Sequence, residues 1–189
     1  MISLIRTAQI CSLVLAIMIS TPFLCHGQAD DKRNVLKASV DENTAVRFFY
    51  HPPGDYFHFP LVFRAVDPKD SRLNTAPMTP EGRTAYVSLP EMRELIRGLS
   101  HLHLSWQESE SVESLQPFKK LEITDTMVIT AVSSNGTAMA NLDPKRICET
   151  LKPLDSALET PRALWEFQGF RLNYGCKVPG FKYGAYPDH

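Results

Sequence analysis

The sequence carries no surplus of either charge sign: Lys and Arg number 20, Asp and Glu 21, for a formal net charge of −1. Holding nucleic acid by bulk charge needs an excess of cations over phosphates, so a nucleic-acid partner is excluded on this ground. The Lys119-Lys120 pair is too short to form a basic patch. Phosphate-cradling loops of the G-x-x-x-x-G-K-[ST] or G-x-G-x-x-G kind are missing. So are the G-x-S-x-G elbow of a serine hydrolase and the His-Glu-x-x-His zinc motif. There is no internal repeat and no low-complexity tract. With these signatures gone, the reading leans towards a protein that is not an enzyme. Apolar material is not scarce: 43% of residues are hydrophobic and 10% aromatic, too much for a disordered chain. The length of 189 residues suits one domain.

Long hydrophobic runs are also lacking, with one exception. Residues 10–19 (ICSLVLAIMI) are uncharged and apolar, but a bilayer span needs about 20 such residues. Arg6 precedes the run, Thr21-Pro22 ends it, and Cys25, Gly27 and Ala29 place small residues at cleavage spacing. Residues 1–29 therefore read as a signal peptide, cleaved after Gly27 or Ala29. The competing reading is an uncleaved anchor. The bulky Phe23 and Leu24 fit a lipidation site at Cys25 poorly. No later run reaches spanning length, so the mature chain is expected to stay out of the membrane and to be secreted or periplasmic.

Cysteine is rare, four in all, and two lie in the signal segment. Cys148 and Cys176 remain. In an oxidising compartment an even pair without C-x-x-C spacing reads as one disulfide.

The remaining chain divides into a single α+β domain, residues 30–176, and an extended tail, residues 177–189. The expected fold is an antiparallel sheet with helices packed on one face, and a C-terminal helical pair stapled by the disulfide. Strands are predicted over 45–50 and 57–66, separated by a Pro52-Pro53-Gly54-Asp55 turn. Pro60 lacks a backbone donor, which puts the second strand at an edge or on a bulge. Residues 67–83 read as a long exposed loop, and 84–87 as a short strand. Ser88 and Glu91 form a capping box. It opens a helix whose Leu89, Met92, Leu95, Ile96 and Leu99 share a face, with Gly98 as its stop. Residues 101–106 (HLHLSW) alternate as a strand, and 118–124 is a further strand.

Asn135-Gly136 is a type I′ hairpin signal. Centred there, it pairs Ser134 with Thr137, Ala131 with Ala140 and Ile129 with Leu142. One face then carries only Met127, Ile129, Ala131, Ala138, Ala140 and Leu142, ready for a helix. Asn135-Gly136-Thr137 also fits an N-glycosylation acceptor, though the turn reading needs no further assumption. Asp143-Pro144 and Thr160-Pro161 each start a helix. Pro153 interrupts the first, and Gly175 ends the second.

Few groups suggest chemistry. His101 and His103, two apart on the predicted strand, would point to one side and can offer two metal ligands. His51, Asp55 and His58 flank one turn and form an alternative set. Glu91 and Glu94 can pair as acid and base, but the capping role and nearby arginines favour a solvated helix face. The aromatic tail, Phe181, Tyr183 and Tyr186, either packs on its own domain or docks a partner. The expected function is an exported, non-catalytic protein that binds a protein or small ligand without a cofactor. The alternative is a metal-dependent exported enzyme built on the His-x-His strand.

Overall fold

The computed structural model describes residue 36 and residues 40–50, 60–109, 127–134 and 136–182. All of these belong to one compact unit, Lys32–His189. Residues 1–29, the candidate set His51, Asp55 and His58, the strand expected at 118–124, Asn135, Tyr183 and Tyr186 lie outside the described residues.

Among the described residues seven strands form one sheet: β1 (Ala45–Tyr50), β2 (Leu61–Val66), β3 (Met78–Thr79), β4 (Gly82–Ser88), β5 (Gln107–Ser109), β6 (Met127–Ser133) and β7 (Gly136–Leu142). Their order across the sheet is β3-β4-β2-β1-β6-β7-β5. Every pairing is antiparallel except β2 with β4, which is parallel. Three α-helices are present among the described residues, α1 (Leu89–His101) between β4 and β5, and α2 (Ile147–Leu151) and α3 (Pro161–Asn173) after β7. The fold is α+β, as its sequence implies, with the helices gathered on one face.

That face is assembled by period-two alternation. Val46, Phe48, Phe63, Ala85, Met127 and Ile129 leave it fully buried. They meet Met92, Leu95 and Leu99 of α1, Leu151 of α2 and Phe167 of α3 in one core cluster. Phe167 lies at its centre, 5.5 Å from Phe48 and 6.0 Å from Phe63 between ring centroids. Each fully buried side chain of this size stabilises by about 1.5–3 kcal/mol relative to exposure. The opposite face is buried at Arg47, Val62, Thr84 and Thr130.

The parallel pair changes the place of β2. It lies inside the sheet, between β1 and β4, and not at an edge as Pro60 suggested. Pro60 stands just before the first paired residue, where a missing N–H costs no ladder bond, and its carbonyl accepts the Arg83 N–H at 2.9 Å. The crossover from β2 to β4 is likewise less open than an exposed loop. Residues 74–79 run along β4, with Tyr86 N–H to Thr75 O at 3.0 Å and Thr84 N–H to Pro77 O at 3.0 Å.

The hairpin of β6 and β7 keeps the expected faces but not the expected register. Ser133 pairs with Gly136, Ala131 with Ala138 and Ile129 with Ala140. Ser134 stands in the turn, outside the pairing. Its hydroxyl donates to the Asp41 carboxylate and accepts from Asn43 Nδ2 at 3.1 Å, which ties the turn to the one preceding β1.

Helix α1 opens with the predicted capping box, Ser88 accepting from Glu91 N–H and Glu91 from Ser88 N–H. It does not stop at Gly98 and runs on to His101. Gly98 serves a tertiary need: a Cβ there would lie 2.7 Å from Leu154 Cδ2. Asp143 caps the next segment by accepting the Lys145 N–H at 2.9 Å. A 3₁₀ turn, Pro144–Arg146, leads into α2, and at Pro153 the chain tightens into a second 3₁₀ stretch, Lys152–Ala157. Thr160 does not cap α3 with its side chain. Its hydroxyl goes to Glu91, and Asn74 Oδ1 accepts the Arg162 N–H at 3.0 Å instead.

Helix α3 closes in a Schellman motif: Cys176 N–H reaches Arg171 O at 3.1 Å and Gly175 N–H reaches Leu172 O at 2.9 Å. Gly175 has φ +80°, a conformation glycine adopts without a side-chain clash. The turn delivers Cys176 to Cys148 of α2, and the two form the expected disulfide. Just beyond, Phe181 packs against Trp165 of α3, with ring centroids 5.3 Å apart. The first of the tail aromatics therefore lies on its own domain.

Candidate ligand-binding cleft

His101 and His103 are not on a strand. His101 is in the last turn of α1, Leu102 is its C-cap, and β5 begins only at Gln107. The alternating pattern of 101–106 straddles a helix end, and the helix claims His101 because Leu102 N–H still bonds to Leu99 O at 3.1 Å. The fold nevertheless brings both imidazoles to one place. They line a shallow cleft of about 250 Å³ between the end of α1, the end of β7 and the α2 region. Its floor is apolar, formed by Leu102, Leu104 and Leu142. The α2 side contributes Arg146, Glu149 and Thr150.

Arg146 is the residue that sequence reasoning missed. Asp143 stands three positions before it and Glu149 three after, and side chains at this spacing are neighbours on a helical turn. Neither forms an ion pair with it. Asp143 is engaged with the Lys145 N–H. Six other arginines (Arg64, Arg72, Arg83, Arg97, Arg162 and Arg171) lie within 4.0 Å of a carboxylate. Arg93 and Arg146, both exposed, have no ion-pair partner among the described residues, and of these two Arg146 lines the cleft. The Asp143-Pro144 signal gave the helical start, but only the course of α1 beyond Gly98 sets His101 and His103 opposite Arg146.

A second cavity, about 400 Å³, lies on the other face of the sheet among Arg64, Arg72, Thr79, Glu81, Thr84 and Tyr86. Its charges are already satisfied. Arg64 binds Glu81 at 2.6 Å. Arg72 grips Asp70 through two hydrogen bonds of 3.0 and 2.7 Å and lies 4.9 Å over the Tyr86 ring. Those bonds from Arg72 hold the Asp70 carboxyl down at about 2. Here guanidiniums and carboxylates neutralise one another, which leaves little charge for a ligand.

Glu91 is not a solvated acid–base partner of Glu94. Its side chain is buried, at 3% exposure, and accepts the backbone N–H groups of Glu159 at 2.9 Å and Thr160 at 2.8 Å, with the Thr160 hydroxyl and Ser88 N–H besides. Such saturation holds a carboxylate in place and leaves no lone pair for proton transfer. Glu94 pairs with Arg97 on the surface. Glu166 is a half-buried carboxylate, beside Arg162 at 2.6 Å and Arg83 at 3.9 Å. Burial pushes its carboxyl above the ordinary glutamate value, and the two arginines oppose that rise.

Among the described residues, no three His, Cys, Asp or Glu side chains stand together so as to hold a metal ion. No described helix is long and apolar enough to cross a membrane. Comparison with known proteins finds no matching family model, no matching curated protein and no matching solved structure.

Proposed function

We propose that this protein is exported, secreted or periplasmic, and acts without catalysis by binding a small ligand in the cleft lined by His101, His103 and Arg146. The observation that carries the reading is Arg146. Its guanidinium is exposed at an apolar-floored cleft and has no carboxylate partner among the described residues, whereas the cavity around Arg64 and Arg72 is electrostatically self-contained. Small-molecule sites combine an apolar lining with a few convergent polar groups, and this cleft has that make-up. The Cys148–Cys176 bond fits the compartment, since disulfides persist where thiols oxidise. It also fixes α2, and with it Arg146 and Glu149, to the end of α3.

Two measurements test this. Intact mass of the protein recovered outside the cytosol should show loss of the residues up to Gly27 or Ala29 and two hydrogens fewer than the dithiol form. A full-length mass from the cytosol, with both thiols alkylated by iodoacetamide in the native state, would remove the export reading. For the cleft, a set of small neutral, cationic and anionic organic molecules is titrated while amide and imidazole NMR signals are followed. Saturable shifts should cluster at 101–104, 142 and 146–150. If no member of the set moves these signals, the cleft is not a binding site.

A further inference from the structure

The chemistry of the cleft specifies a ligand class. We propose that it takes a small organic carboxylate with an apolar body, the carboxylate held by Arg146 and the body lying on Leu102, Leu104 and Leu142. The inference rests on the cleft being the binding site proposed above.

The argument starts from donors and acceptors. A guanidinium presents five N–H donors and no acceptor, in a fork that matches a carboxylate. At Arg146 those donors are not used by Asp143, Glu149 or any other described carboxylate. His101 and His103 line the same cleft. Each imidazole keeps at least one N–H donor whether neutral or charged, so both can add a hydrogen bond to the same anion. Thr150 adds a hydroxyl. Glu149 contributes the single carboxylate among the described lining residues. It disfavours a second negative charge nearby, which selects a monoanion over a phosphate ester or a dicarboxylate.

Size and polarity narrow the class further. About 250 Å³ falls below the roughly 300–1,000 Å³ of sites for drug-sized ligands, so the occupant is small. Leu102 and Leu104 are half-buried and pack against the core, and Leu142 is buried. They offer apolar surface whose burial favours a hydrocarbon portion, and a free inorganic anion would leave it bare. A cationic head group would meet Arg146 and gain only Glu149.

The test compares three probes of one carbon skeleton: hexanoate, 1-hexanol and hexylammonium. Each is titrated into the purified protein, with the NMR signals of 101–104, 142 and 146–150 as the readout. Hexanoate should bind at least about tenfold more tightly than hexanol, the scale of one charge-assisted contact, and hexylammonium more weakly than either. Arg146→Gln should reduce hexanoate to the affinity of hexanol and leave hexanol unchanged. Glu149→Gln should strengthen hexanoate binding. An unchanged thermal midpoint shows that these surface variants still fold. The inference is overturned if hexanoate binds no better than hexanol, if hexylammonium binds best, or if Arg146→Gln has no effect on hexanoate. Binding of hexanol or hexylammonium alone leaves the cleft a binding site of another ligand class. Silence from all three, and from the wider set of small molecules, removes the site itself.

Discussion

Glu91 on the first turn of α1 accepts the backbone N–H of Thr160, at the start of α3, at 2.8 Å, although the two residues are 69 positions apart. The same carboxylate takes the Glu159 N–H at 2.9 Å and the Ser88 N–H at 3.4 Å. One buried side chain thus joins the opening turns of two helices. Replacing it with the amide, Glu91→Gln, turns one acceptor oxygen into a donor that faces other donors. The expected cost is about 2–3 kcal/mol, the penalty for unsatisfied buried groups and lost charge-assisted bonds. Urea denaturation of the variant checks it, and Glu94→Gln serves as the surface control with little change.

The Cys148–Cys176 bond closes a loop of sequence separation 28. On chain-entropy grounds its loss should cost about 3–4 kcal/mol, chiefly by freeing the unfolded chain. A Cys148→Ser, Cys176→Ser double variant should unfold at correspondingly lower denaturant. Because Glu149 lies on α2 and Arg146 immediately precedes it, the double variant should also weaken any ligand bound in the cleft.

Glu166 predicts a pH dependence with a definite sign. Burial raises its folded-state value above that of the unfolded chain. Its contribution to stability is therefore fully present below the unfolded glutamate value and declines as pH rises through the folded one. The stability difference between the parent protein and Glu166→Gln should shift in favour of the parent as pH falls through the carboxylate range. Paired denaturation curves between acid and neutral pH measure it. A difference that moves the other way would mean that Arg162 and Arg83 outweigh burial.

Tyr174 gives a counterpart in alkali. Burial, aided by the nearby Tyr50 (ring centroids 5.1 Å apart), pushes its hydroxyl up to about 12. An unfolded tyrosine ionises near 10. The folded state therefore keeps the proton longer, and the stability this supplies drains away as pH climbs from roughly 10 towards 12. Spectrophotometric titration should show one late tyrosine, absent in Tyr174→Phe, and that variant should lose less stability in alkali than the parent.

How far the fold could be read from residues depended on whether a signal was local. The stripe Met92, Leu95, Ile96 and Leu99, the capping box at Ser88, the kink at Pro153 and the faces of the β6–β7 hairpin are all local patterns, and all are present. Failures came where distant chain decided. Pro60 looked like an edge residue because nothing nearby announces that β4 will pair with β2 in parallel. Gly98 looked like a stop because its contact with Leu154 is invisible along the chain. The hairpin turns two residues away from the expected register, with Ser134 held by Asp41 and Asn43 from a distant turn. At the cleft, the two imidazoles drew notice through a strand pattern that the helix end overrides. Arg146 drew none, since an unpaired guanidinium is defined by what fails to approach it.

The seam at the middle of the sheet has a consequence for timing. There β1, which also pairs with its neighbour β2, bonds to β6, Ala45 opposite Val132 and Tyr50 opposite Met127, so one edge of the first described strand waits for a strand made much later. Loops of that span close slowly, and contacts so remote form late. Completion of the sheet is consequently a late event, held back until β6 and β7 have been made.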